Sequence, residues 1–192
     1  MRYKAIIFDC FGTLVAEVGT IWFAQLSAEQ IRQIRDRYLD PSDKGDVSEE
    51  ELFIGMGQIA AMAPGKIRDE WIRLAQVNDG IASIVEQLSK HYKLAILSDS
   101  PAPFFHEVIE NSKLQSFFSE IFVSAEARIT KAELGAYERA LKKLGVPAEE
   151  TIMTDDDPAN IERARLVGIT GFVFEGSEKL KGDLAGAGIE LG

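Results

Sequence analysis

Four aspartates, one lysine and two hydroxyl residues stand where this sequence could do chemistry. Asp9 closes the apolar run Ala5-Ile6-Ile7-Phe8, with Phe11, Gly12 and Thr13 just behind it. Ser98-Asp99 closes Leu94-Ala95-Ile96-Leu97, Asp155-Asp156 follows Ile152-Met153-Thr154, and Lys131 comes shortly after Ile121-Phe122-Val123. A carboxylate nucleophile needs a cation to hold the transferring group, hydroxyl and N–H donors for its oxygens, and a counter-charge to stay ionised. Two adjacent carboxylates facing a third repel unless a hard divalent cation lies between them, and an all-oxygen ligand set favours Mg²⁺. Each residue also has an ordinary structural role open to it: Asp9 as a turn or cap residue, Ser98 as a cap, Lys131 as a solvated charge near a helix start, Asp155 to Asp157 as caps on the next helix. Their joint placement is what points to a site.

That placement depends on the elements. Short apolar runs bounded by Gly, Asp or Ser read as buried parallel strands, and five of them alternate with helices: Ile6–Phe8, Leu94–Leu97, Ile121–Val123, Ile152–Thr154 and Ile169–Phe174. Alternation of this kind implies right-handed crossovers and an α/β fold with a doubly wound parallel sheet, whose ligands bind at the carboxyl ends of the strands. Residues 16–78 differ. They read as helix throughout: a pair over about 20–39, a turn at Asp40–Asp46, a helix opened by a Ser48/Glu51 capping box and running to about Met62, a break at Pro64-Gly65, and a last helix through Leu74. The expected organisation is an α/β core of residues 1–15 and 79–192 with a small helical domain at 16–78. Trp22, Phe23 and Trp71 are expected to pack among those helices, with a pocket wall as the alternative.

Composition narrows the function. A net charge of -10 argues against nucleic acid, which demands a basic footprint. No apolar run approaches the ~20 residues of a membrane span, and the N-terminus has no signal-peptide pattern, so a cytoplasmic protein acting on a small molecule is expected. The single cysteine, Cys10, allows no internal disulfide and reads as a buried thiol. His91 and His106, the only histidines, read as surface or capping residues.

Asp9-Cys10-Phe11-Gly12-Thr13, Ser98, Lys131 and Asp155-Asp156 together resemble, in order and spacing, the four motifs of the haloacid dehalogenase-like superfamily of hydrolases. Residues 16–78 resemble its small helical cap. The resemblance implies that Asp9 forms a covalent aspartyl intermediate, that Ser98 bonds the transferring group, and that Lys131 pairs with Asp9 and with substrate oxygens. Asp155 and Asp156, with Asp9 and the Phe11 carbonyl, would hold Mg²⁺. Phe11, Gly12, Thr13, Asp99, Tyr137 and Asn160 would line the substrate.

The pattern is not uniform. Phosphatases of the superfamily usually carry a second aspartate where this chain has Phe11, and losing that general acid costs on the order of 10²- to 10⁴-fold for a basic leaving group. The superfamily's 2-haloacid dehalogenases carry an aromatic residue there, and the spacing from Lys131 to Tyr137 resembles theirs. They work without metal, however, with neutral residues at Asp155 and Asp156, a hydrolytic aspartate where this chain has Asn160, and a substrate-binding arginine in the early cap that is absent near Ile21–Leu26. Three readings follow: a Mg²⁺-dependent phosphohydrolase acting on a good leaving group or borrowing Asp99 or Asp157 for proton transfer, a metal-independent dehalogenase, and a binding protein with little catalysis. The first is favoured. So small a cap encloses little, so either a small substrate or the partner subunit of a homodimer is expected to complete the pocket.

Overall fold

The computed structural model describes residues 2–191. Its centre is a five-stranded parallel sheet in the order β3-β2-β1-β4-β5, with β1 at Ala5–Phe8, β2 at Lys93–Ser98, β3 at Glu120–Val123, β4 at Thr151–Asp155 and β5 at Thr170–Val173. Between β1 and β2 run α1 (Val18–Phe23), α2 (Ala28–Ile34), α3 (Asp40–Asp43), α4 (Glu49–Ala60), α5 (Pro64–Leu74) and α6 (Ile81–Ser89). After β2 comes α7 (Ala102–Ser112), after β3 come α8 (Ser124–Ala127) and α9 (Leu134–Leu144), after β4 comes α10 (Pro158–Leu166), and after β5 comes α11 (Ser177–Gly186).

The doubly wound arrangement follows from the two-residue period of the strands. Ile6 and Phe8 face one core, shared with Ile84 of α6, Phe105 of α7 and Leu184 of α11, whereas Ala5 and Ile7 face another, shared with Tyr137 of α9 and Ile161 of α10. Every residue of β1 is fully buried, which is why this strand reads as unbroken apolar sequence and not as an alternation. Burial of each large side chain here contributes on the order of 1.5–3 kcal/mol, so β1 anchors both layers.

Helices α1, α4 and α5, with α7, pack around a cluster of aromatic rings. Trp71 lies 6.2 Å from Trp22, 6.1 Å from Phe23, 5.6 Å from Phe53 and 5.6 Å from Phe104. Trp22 also donates its indole N–H to Glu70 Oε2 at 3.0 Å. The expected Ser48/Glu51 capping box opens α4, and a second one, Ser27 with Gln30, opens α2.

Two local expectations are corrected. Asp40–Asp43 is not part of a turn but continues the helical path, and only Lys44–Asp46 turns away. The chain reaches Pro41 through a widened turn at Arg35–Leu39, in which the Asp40 N–H bonds to the Arg35 carbonyl. One extra residue in that turn relieves the clash that proline makes with a helix, and Pro41 then sits in the first turn of α3, where a missing N–H costs nothing. Ser124–Ala127, read only as a connection, forms the short helix α8. Among the described residues no helix is long and apolar enough to cross a membrane.

Candidate active site

The sheet register brings the expected residues to one edge. Asp9 follows Phe8, whose partners are Ile96 on β2 and Thr154 on β4, and the Asp9 N–H bonds to the Thr154 carbonyl at 2.9 Å. Ser98 and Asp155 are the last residues of β2 and β4. Lys131 arrives from beyond β3, its backbone N–H fixed by both carboxylate oxygens of Asp99 at 3.0 and 3.1 Å. Its Nζ sits between Asp9 Oδ1 at 2.6 Å and Asp155 Oδ2 at 2.7 Å, with all three side chains at most 5% exposed.

The loop after β1 is built by backbone bonds and closed by a distant residue. Leu14 and Val15 N–H groups return to the Cys10 carbonyl, and the Asn78 amide reaches the Thr13 carbonyl at 2.9 Å and the Val15 carbonyl at 3.2 Å. Asn78 was legible only as a turn residue before α6. Gly12 takes φ +89°, and a Cβ placed on it would fall inside the Asp156 carboxylate. Glycine here therefore does two things: it allows the left-handed backbone and it leaves room for Asp156.

Asp9, Asp155 and Asp156 each offer a carboxylate oxygen, and these oxygens lie within 4.8 Å of one another. Octahedral Mg²⁺ with bonds of ~2.1 Å needs ligand oxygens roughly 3–4 Å apart, so the cluster fits such an ion in both donor type and size. Three carboxylates against one ammonium also leave an excess of negative charge that a divalent cation would neutralise. The excess shows in the titration of the groups. Burial pushes the Asp9 carboxyl well above the ordinary range, against the pull of Lys131 and with the help of Asp155 and Asp156. Asp156 is pushed up to about 6 by burial and then by Asp155 and Glu17. Burial opposes the Lys131 charge, but Asp9, Asp155 and Asp99 outweigh it, so the ammonium is held well above its ordinary value and stays charged. Burial and Asp9 raise the Cys10 thiol, which removes it as a nucleophile at neutral pH.

The hydroxyls of Thr13 and Ser98 are buried and have no hydrogen-bond partner among the described residues. Buried hydroxyls are normally bonded; Thr154, next to Asp155, is a third without a partner, so the strand ends around Asp9 and Asp155 carry hydroxyls that no described residue uses.

Two residues expected to line the substrate stand behind the site instead. Tyr137 Oη lies 3.0 Å from the Lys131 carbonyl and 3.2 Å from the Asn160 carbonyl, and the ring is fully buried between them. The Asn160 amide donates to Asp155 at 3.1 and 3.2 Å while its oxygen accepts from Arg163. Both hold other site residues in place, and neither has a group left over for a ligand. Asp157 is likewise committed, capping α10 through the Ala159 N–H at 2.9 Å.

Phe11 does face open space. Its ring stacks on Phe104 at 5.5 Å and 14°, and both line a cavity of about 140 Å³ that also touches Asp99, Trp71, Arg35 and Asp43. Of the three aromatic residues expected to pack among the helices, Trp71 also forms part of the cavity wall, whereas Trp22 and Phe23 pack without lining it. Arg35 and Asp43 were not legible as site residues. The arginine sought near Ile21–Leu26 is absent there, and the widened turn instead presents Arg35 further along the chain. His106 is an exposed partner of Glu126, and His91 is exposed.

The sequence matches the pattern of the haloacid dehalogenase-like hydrolases over residues 3–168. The chain belongs to that family. Among family members, it is 26% identical to a sesquiterpene phosphatase of Aspergillus oryzae over 185 residues, which cover 88% of each chain. It is 29% identical over 114 residues to a flavin mononucleotide hydrolase of Arabidopsis thaliana, covering 59% of this chain and 46% of that one. The fold is that of a haloacid dehalogenase-family enzyme of Bacteroides thetaiotaomicron, with a TM-score of 0.80, 17% identity and coverage of 96% and 99% of the two chains. A structure of that enzyme complexed with magnesium and inorganic phosphate aligns with a TM-score of 0.76, 18% identity and coverage of 91% and 96%. The protein is thus a haloacid dehalogenase-like hydrolase with this family's α/β core.

Proposed function

We propose that the protein is a Mg²⁺-dependent phosphohydrolase that acts on a small phosphorylated molecule through Asp9 as nucleophile. The observation that carries the reading is the cluster of Asp9, Asp155 and Asp156 oxygens within 4.8 Å, which suits a divalent cation and leaves excess negative charge without one. One relative described above is a phosphatase by name and the other a hydrolase of flavin mononucleotide, and the Bacteroides enzyme was crystallised with magnesium and phosphate; all three support the assignment. In this reading residues 1–15 and 79–192 form the catalytic core, and residues 16–78 form a cap that shapes the substrate pocket.

The steps follow from what each residue can do. Bound Mg²⁺, held by Asp9, Asp155, Asp156 and the Phe11 carbonyl, would offset the charge of the phosphoryl oxygens. Lys131 orients Asp9 and shields it from Asp155. Ser98 and Thr13, with their free hydroxyls, bond the phosphoryl oxygens as Asp9 attacks phosphorus. Asp99 and Tyr137 fix the backbone of Lys131, and Asn160 fixes Asp155. Phe11 gives an apolar wall and no proton, so acyl and other phosphates whose leaving group departs unprotonated need nothing more.

The test is phosphate release from acetyl phosphate and p-nitrophenyl phosphate by pure protein in Mg²⁺ and in EDTA. Release in Mg²⁺ that is lost in EDTA supports the reading. No release under either condition overturns it. A carbon–halogen reading draws on the apolar Phe11 wall and on Arg35, but it lacks a hydrolytic base, since Asn160 is an amide bonded to Asp155. Chloride release from 2-chloropropionate in EDTA would establish it.

A further inference from the structure

We propose that Asp43, carried on the helical segment, is the proton donor to the leaving-group oxygen, the task that Phe11 cannot perform. The proposal rests on the phosphohydrolase reading and extends it from activated phosphates to ordinary phosphate esters. Asp43 comes from α3 and lines the same cavity as Phe11, two residues beyond Asp9, and Asp99, which holds the Lys131 N–H. Its position relative to the core is fixed. Arg128, in the connection after β3, donates to the Gly45 carbonyl at 3.1 Å and pairs with Asp46, and Gly45 packs so tightly on the Ala125 backbone that a Cβ would collide with it. The turn that follows α3 is thereby pinned to the catalytic edge.

The other acids lining the cavity, Asp99 and Glu17, are already committed. Asp99 holds the Lys131 N–H, and Glu17 caps α1 through the Thr20 N–H. The Asp43 side chain makes no hydrogen bond or ion pair among the described residues, so it is free to meet a ligand in the cavity. Its surroundings also favour the protonated form. Burial, Asp99 and Asp40 push its carboxyl well above the ordinary range, against the weaker pull of Arg35 and Lys131. A carboxylic acid whose pKa is raised above the ordinary range is suited to general acid work.

The chemistry balances. As Asp9 forms its bond to phosphorus and the ester P–O bond breaks, the Asp43 proton passes to the departing oxygen, giving alcohol, aspartyl phosphate and Asp43 carboxylate. That carboxylate then takes a proton from the water that attacks phosphorus, the Asp9–phosphorus bond breaks, and inorganic phosphate leaves with Asp43 reprotonated.

Phenyl phosphate and p-nitrophenyl phosphate present similar rings but leave as phenoxides of very different basicity. The experiment compares kcat for both, in Mg²⁺, in the parent, Asp43→Asn, and Asp43→Asn combined with Phe11→Asp. Asp43→Asn should lower kcat for phenyl phosphate by roughly 10²- to 10⁴-fold, with a loss at least about tenfold smaller for p-nitrophenyl phosphate. Adding Phe11→Asp should restore part of the phenyl phosphate rate, a rescue that misfolding could not produce. Equal losses on both esters, or no loss on either, would overturn the proposal. A parent active on acetyl phosphate but not on phenyl phosphate refutes the proton donor alone, whereas a parent inactive on every phosphate refutes the phosphohydrolase reading and the donor with it.

Discussion

Replacing Lys131 with methionine should destabilise the metal-free protein more than any other single change at the site. The Lys131 ammonium sits 2.6 Å from Asp9 and 2.7 Å from Asp155, and the three side chains are 5%, 4% and 0% exposed. Methionine keeps much of the volume and removes the charge, which leaves two buried carboxylates and half-buried Asp156 with no cation among them. Breaking a buried pair by removing one partner costs about 3–5 kcal/mol. For a chain of this size each kcal/mol moves Tm by about 2–4 °C, so the expected fall is roughly 6–20 °C in EDTA. Asp9→Asn acts in the opposite direction. It removes one carboxylate from a surplus of carboxylates and keeps the Lys131–Asp155 pair, so its Tm in EDTA should equal or exceed that of the parent. Mg²⁺ should recover part of the Lys131→Met loss, because it supplies the missing positive charge. Thermal unfolding followed by circular dichroism with EDTA and with Mg²⁺ reads all of this. A Lys131→Met variant that melts within about 2 °C of the parent in EDTA would refute the charge account. So would an Asp9→Asn variant less stable than Lys131→Met.

The remaining predictions concern the cation and the loop that frames it. Mg²⁺ at about 100 times its Kd should stabilise the parent by ~2.7 kcal/mol, and Asp156→Asn should lose most of that gain, as measured by Tm against Mg²⁺ concentration. An unchanged Mg²⁺ response would remove Asp156 from the ligand set. Gly12→Ala must take an unfavourable φ of +89° and displace the Asp156 carboxylate, so it should weaken Mg²⁺-dependent phosphate release far more than it lowers Tm. Wild-type turnover in Gly12→Ala would show that the close approach of Gly12 and Asp156 has no bearing on the site.

The sheet and its catalytic edge were readable because they rest on local signals. An apolar run ending in a carboxylate or serine, with Gly12, Pro101 or Pro158 a few residues on, places Asp9, Ser98 and Asp155 at strand ends without any tertiary knowledge, and the order of the motifs then points to the family. Misreadings arose where a local signal met a longer-range fact. Asp40-Pro41 looks like a turn, yet a widened helical turn one step earlier absorbs the proline and carries the helix on to Asp43. Asn78 looks like a turn residue, yet its amide ties down a loop more than sixty residues away in sequence. Tyr137 and Asn160 have the residue types of ligand contacts, and only hydrogen bonds to Lys131, Asp155 and each other's surroundings show that they act from behind. Arg35 and Asp43 carry no motif at all, and their relevance comes from the cavity they share with Phe11.

The most direct test of the account asks whether phosphate passes through Asp9. Protein mixed with acetyl phosphate and Mg²⁺, quenched in acid within a turnover and digested, should yield a phosphorylated peptide containing Asp9 by mass spectrometry. Asp9→Asn should yield neither the phosphopeptide nor free phosphate above background. Sustained phosphate release by Asp9→Asn, or turnover by the parent with phosphate trapped on a different residue, would contradict the claim that Asp9 is the nucleophile.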